Sequence, residues 1–140
     1  MLFRSAYVLP SNGDLGQWHH LAGIYDSTNN RVQLYVDGIL RAQQATQRPL
    51  STNGLPVRIG RAGSDYLNGQ VDELRLWRTA RTAAQIQSNM GRSLVGNESG
   101  LLAYWRFNET SGLTATDATG NSSAAGLSNN VAWVASTCGG

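Results

Sequence analysis

The residues of this chain best suited to chemistry are a few acids and aromatics on strand-like segments. In an extended run from 66 to 77, side chains alternate, so Asp72 has the parity of Leu74 and Leu76 while Glu73 shares a face with Arg75. A carboxylate on the core side is costly unless a hard cation, an Arg or backbone N–H groups meet it. Glycoside cleavage needs two carboxylates facing each other roughly 5 to 10 Å apart. Neighbouring Asp72 and Glu73 point opposite ways, and Glu98 and Glu109 fall on a loop and a strand end with no evident partner. His19 and His20 are also adjacent, so a strand turns them to opposite faces and they cannot chelate one ion together. No Gly-x-Ser-x-Gly elbow is present to serve either His as a nucleophile.

Pyranose rings stack their C–H faces on flat side chains, and Trp18, Trp77, Trp105, Trp133, Tyr25, Tyr35, Tyr66 and Tyr104 are available. Large aromatics at strand positions are expected mostly in the core. Tyr66, in a turn-like approach between Asp65 and Asn68, is the one expected at the surface. With Arg58 and Arg61 adding polar contacts, Tyr66, Asp65, Asn68, Arg58 and Arg61 form the candidate ligand-binding set. The plain structural alternative for them is a solvated rim.

These residues need a scaffold, and 140 residues are enough for one domain, expected over 1–137 with 138–140 as a tail. Charged residues are 14% of the chain and Gly, Ser, Thr and Asn are plentiful, the balance of a strand-and-turn protein. All eleven basic residues are Arg, so no phosphate-loop lysine, Schiff-base lysine or Ser-Lys dyad is possible. A net charge of +2 with scattered Arg gives no footprint for nucleic acid. Cys138 is the single cysteine, which rules out an internal disulfide and a cysteine metal site; in an oxidising compartment it could pair between chains. No 18-residue apolar run occurs, and the first residues lack a secretory pattern, so membrane insertion is not expected and secretion is not encoded.

Strands are expected at 18–25, 31–36, 56–61, 66–77, 101–108 and 130–135. Asp37-Gly38 between Tyr35-Val36 and Ile39-Leu40 predicts a type I′ hairpin, whose two central residues need positive φ. Thr82-Ala83-Ala84-Gln85 fits a capping box; Ile86 and Met90 would share one helical face, and Gly91 could take the left-handed position past the end. Asn97-Glu98-Ser99, Asn108-Glu109-Thr110 and Asn121-Ser122-Ser123 satisfy the N-glycosylation triplet, which matters only in a eukaryotic secretory pathway.

The order Trp18-His19-His20-Leu21-Ala22, Val32-Gln33-Leu34-Tyr35-Val36-Asp37-Gly38, Gly69-Gln70-Val71-Asp72-Glu73-Leu74-Arg75-Leu76-Trp77 resembles the later part of a laminin-G-like, concanavalin A-like lectin domain of the pentraxin-like jelly-roll kind. The likeness continues through Arg78 to Met90 and into Tyr104-Trp105-Arg106-Phe107-Asn108-Glu109. It implies an all-β, antiparallel jelly-roll β-sandwich with one short helix, and structural roles for the paired histidines. It also implies an extracellular or cell-surface module that binds carbohydrate or an extracellular protein and catalyses nothing. Calcium is the cofactor the resemblance implies, at positions matching Asp72, Asp117 and Asn121, the last or Gly120 through a carbonyl. The family's opening Phe-Asp-Gly motif and first strands are not found before Trp18, so open strand edges and homo-oligomer formation are expected. A self-assembling or protein-interaction module is the rival reading, and a glycoside hydrolase or lyase of the same fold the third.

Overall fold

A computed structural model describes residues 16–47, 54–121, 124–128 and 131–135. The Cys138 tail and the segment before Gly16 lie outside the described residues. Nine strands and one helix are found among the described residues, every strand pairing is antiparallel, and the chain divides into two compact units.

The first unit comprises Met1–Leu67 and Ala80–Met90. Its centre is a meander of β1 (Leu21–Asp26), β2 (Arg31–Val36) and β3 (Ile39–Ala45) in the order β1-β2-β3. Asp37 and Gly38 turn β2 into β3 with φ of 51° and 73°, the geometry the Asp-Gly pair predicts. Leu34 pairs with Ala42 but Tyr35 with Leu40, so Arg41 is the extra residue of a β-bulge. Ile24 and Tyr35 are buried with Ile86 of the helix, and Ala22 packs against them.

The helix α1 (Ala83–Asn89) opens on the capping box expected from sequence: Gln85 N–H donates to Thr82 Oγ1 at 3.2 Å, and Thr82 N–H donates to Gln85 Oε1 at 3.0 Å. At seven residues it is too short to persist alone, so tertiary contacts must hold it. Ile86 supplies one, and the Gln87 amide donates to the Gly38 carbonyl at 3.0 Å. Gly38 must be glycine at this point, since a Cβ would lie 2.7 Å from Gln87 Cγ. The Trp-His-His segment serves the same turn. His19 Nδ1 lies 2.8 Å from Asp37 Oδ2, and His20 N–H donates to Asp37 Oδ1 at 2.9 Å. A short hairpin of β4 (Arg61–Ala62) and β5 (Asp65–Tyr66) completes the strands of this unit.

The second unit comprises Asn68–Thr79 and Gly91–Gly140. In it β6 (Leu74–Trp77) pairs with β7 (Leu101–Trp105), and β8 (Thr114–Ala115) with β9 (Ala125–Gly126). Leu76 pairs with Ala103 and Trp77 with Leu101, which makes Leu102 a bulge residue. The bulge reverses the alternation of β7. Ala103 and Trp105 join Ala115 in one cluster, whereas Leu101 crosses to the side of Tyr104 and packs with Leu94 and Trp77. Both faces of β7 are thereby buried.

Tyr104 is fully buried, and its hydroxyl donates to the Glu73 carboxylate while accepting from Leu94 N–H at 3.2 Å. Arg75 donates to the same carboxylate at 2.7 Å, and the Arg75 and Arg106 guanidinium carbons stand 5.3 and 5.2 Å from the Tyr104 ring centre. The long strand expected over 66–77 is broken: Tyr66 ends β5, the segment after it is irregular, and Leu74–Trp77 forms β6. Glu73, at φ 53°, interrupts it, so parity cannot be carried from Leu74 back to Asp72.

Candidate functional site

Of the five residues expected to bind ligand, the structure assembles three on the β4–β5 hairpin. Arg61 and Tyr66 are register partners, as are Ala62 and Asp65, with Gly63 at φ 65° in the turn. The Arg61 Nε–H donates to the Gly63 carbonyl at 2.8 Å, which holds the guanidinium 5.1 Å from the Tyr66 ring centre. Leu67 N–H donates to Gly60 O at 2.8 Å and closes the base. Tyr66 is 58% exposed although one partner stacks on it, and Asp65 is exposed beside it. Arg58 is exposed in the irregular approach to the hairpin, where a strand was expected from 56. Asn68 is exposed and opens the second compact unit.

The three positions implied for calcium lie in the second unit. Asp117 is 7% exposed, and its carboxylate accepts from Tyr104 N–H at 2.8 Å, Thr119 N–H at 3.0 Å and the Thr119 hydroxyl at 2.7 Å. A bridge between Trp105 and Asp117, with Ala118 N–H donating to Tyr104 O at 2.8 Å, ties this segment to β7. Asp117 therefore splints the chain, using backbone N–H groups as the donors that a buried carboxylate requires. Asp72 is half-buried and accepts its neighbour's N–H, from Glu73, at 2.8 Å. Asn121 is exposed, and its N–H donates to Thr119 Oγ1 at 3.1 Å. Among the described residues, no group of three or more His, Cys, Asp or Glu is placed to hold a metal ion. Calcium also takes carbonyl and water oxygens, which such a group does not count.

A groove of about 270 Å³ in the second unit has no counterpart among the expectations from sequence. Residues 107–110 form one wall and 133–135 the other. The Phe107 and Trp133 rings lie 6.5 Å apart at 44°, and the indole N–H of Trp133 donates to Gly112 O at 2.8 Å. Glu109 Oε1 accepts from Thr116 N–H at 2.7 Å, while Oε2 is buried with no hydrogen-bond partner among the described residues. Trp133 and Glu109 are visible in the sequence as an aromatic and an acid. The groove itself depends on Phe107 adopting φ 55° and on the return of 131–135, which carries no strand where one was expected.

No protein with a curated description matches this chain. A solved structure, that of a "putative carbohydrate binding protein" from Bacteroides ovatus ATCC 8483, is similar at 24% identity and a TM-score of 0.57. The match covers 74% of this chain and 32% of that one, so the chain spans about a third of its relative's length. At that identity the likeness bears on fold alone. Residues 4–87, more than half of the chain, match the family model of the concanavalin A-like lectin/glucanases superfamily. With its all-β, antiparallel sandwich fold class and the motif order from Trp18 to Trp77, the chain belongs to the concanavalin A-like lectin/glucanases superfamily.

Proposed function

We propose that the chain is a non-catalytic carbohydrate-binding module whose ligand stacks on Tyr66. The observation that carries this reading is the Arg61–Tyr66 pair, an exposed ring steadied from one side on a hairpin inside the family-matched residues. A pyranose laid on the ring would find the donors of Arg61, the cross-strand partner of Tyr66, at its edge, while Asp65, the preceding strand residue, alternates to the other face. Three acids elsewhere hold backbone. Glu98 accepts from Val95 and Gly96 N–H, Asp117 from Tyr104 and Thr119, and Glu109 from Thr116. Such commitments favour binding over a paired-carboxylate hydrolysis. The same reading places the module outside the cell or on its surface, as the ligand class suggests.

A glycan array probed with the wild-type chain and Tyr66→Ala, each with calcium and with a chelator, tests it. Binding to a defined sugar class that falls at least about ten-fold in the variant is the expected result. Loss of that binding in chelator would assign calcium a role at Asp72, Asp117 and Asn121. An array silent to folded protein, or one indifferent to Tyr66→Ala, would overturn the proposal. Self-association is the second reading, favoured by β3, whose seven residues are mostly exposed and which pairs on one side only among the described residues. Sedimentation velocity decides it: a concentration-independent monomer would end that reading.

A further inference from the structure

We propose that the groove between residues 107–110 and 133–135 binds a small organic cation, an alkylammonium group, on Phe107 and Trp133 with Glu109 as counter-charge. The groove lies outside the family-matched residues and owes nothing to the Tyr66 hairpin. Its volume of about 270 Å³ is at the small end for ligand pockets, the size of a single ring or a compact head group.

The charge of the lining is one-sided. Glu109 is the ionisable group among 107–110 and 133–135, and among the described residues no Arg or His lines the walls. Its Oε1 is spent on Thr116 N–H, but Oε2 has neither a donor nor access to water among the described residues. A carboxylate oxygen in that position is not neutralised locally, so its field reaches into the adjoining space. An ammonium in the groove needs no direct contact with Oε2 to feel it.

The aromatics add to the same preference. The faces of Trp and Phe carry negative quadrupole density and attract cations, Trp most strongly. Trp133 has given its N–H to Gly112 O, so the indole keeps no donor for a neutral ligand's hydroxyl. The hydrogen bond also fixes the ring beside Phe107, and the tilt of 44° leaves the two rings as unlike walls of a wedge rather than a closed stack. An anion would meet an acid and two π-faces. Asn108 and Thr110 remain at the rim to orient whatever the ammonium is attached to.

That attachment could be a sugar ring or a choline-like head group, and titration separates them. The wild-type chain is titrated with choline, its neutral isostere 3,3-dimethylbutanol, glucosamine, glucose and glucuronate, followed by calorimetry and by the Trp133 indole N–H resonance. Choline or glucosamine, either or both, should bind at least about ten-fold tighter than the uncharged counterpart, with glucuronate weakest. Choline alone identifies a quaternary head group, and glucosamine alone an amino sugar. Glu109→Gln, which keeps an oxygen for Thr116 N–H, should lose at least about ten-fold. Equal affinity for charged and neutral partners, unchanged binding in Glu109→Gln, or no binding of either cation at about 50 mM would overturn the proposal. Should Glu109→Gln fail to fold, the comparison of isosteres on the wild-type chain decides it without a variant.

Discussion

Replacing Tyr104 by Phe removes one oxygen from the centre of the second unit and strands two partners. The ring stays, and with it the approach of Arg75 and Arg106, so packing and cation–π contributions change little. Leu94 N–H, buried, loses its acceptor, which costs about 1–3 kcal/mol for an unpaired buried donor. Glu73 loses one donor but keeps Arg75 and Ser93, so that side adds about 1 kcal/mol rather than the full value of a charged hydrogen bond. The sum is about 3 kcal/mol. In urea, with a slope of about 1–3 kcal/mol per molar for a small protein, the midpoint should fall by about 1–3 M with the slope unchanged. Tryptophan fluorescence and circular dichroism followed together provide the measurement. A loss below about 0.5 kcal/mol would show that Leu94 and Glu73 find other partners once the hydroxyl is gone, and would refute the cost assigned to stranding them. A cycle with Glu73→Gln should return a coupling above about 0.5 kcal/mol, since the two side chains touch.

Acid should weaken the first unit through Asp37. Burial raises the carboxyl's pKa, but the hydrogen bond from His19, the N–H of His20 and the charge on both rings together hold it below its ordinary 3.8. A depressed folded value means stability that is complete above the unfolded pKa and lost as pH falls through the folded one. Melting temperature should therefore decline as the pH drops below about 4, and the gap between wild type and Asp37→Asn should close over that window. A constant gap down to pH 2 would remove Asp37 as the cause. Gly96→Ala should be severe, because φ is 111° and the new Cβ would sit 2.5 Å from Ala118 O. Gly112→Ala, at φ 90° with nothing within 4 Å, isolates the conformational part at about 1–2 kcal/mol. Urea midpoints that fall equally in the two variants would show that the contact at Gly96 contributes nothing.

What could be read from the sequence was local chemistry. The Asp37-Gly38 turn and the Thr82–Gln85 cap are specified by residues a few positions apart, and both form as expected. The helix end differs in detail. Met90 closes it in a right-handed conformation, and Gly91 does not enter the left-handed region. Interruptions were hidden because the residues responsible are poor left-handed formers by type. Nothing in the identities of Glu73 or Phe107 announces positive φ, yet Glu73 shortens β6 and Phe107 shapes the groove. Tyr66 was legible as an exposed aromatic, since its polar neighbours mark a turn, but its stacking on Arg61 depends on hairpin register. Asp117 illustrates the limit from the other side: an acid can be identified as needing a partner, while the sequence does not say that the partners are the N–H groups of Tyr104 and Thr119.

Glu73 and Phe107 share a location as well as a conformation. Leu74 pairs with Trp105 at one end of the β6–β7 ladder; Glu73 lies one residue beyond that pair on one strand and Phe107 two residues beyond it on the other. A slip of the two strands by two residues would keep every side chain on its own face, so patterning alone offers little protection against it. Sliding the ladder past this end would force a left-handed residue into an extended slot from whichever strand advanced. The pair acts as stops on a zip fastener, giving the ladder one admissible length and denying a passing strand the place to continue it.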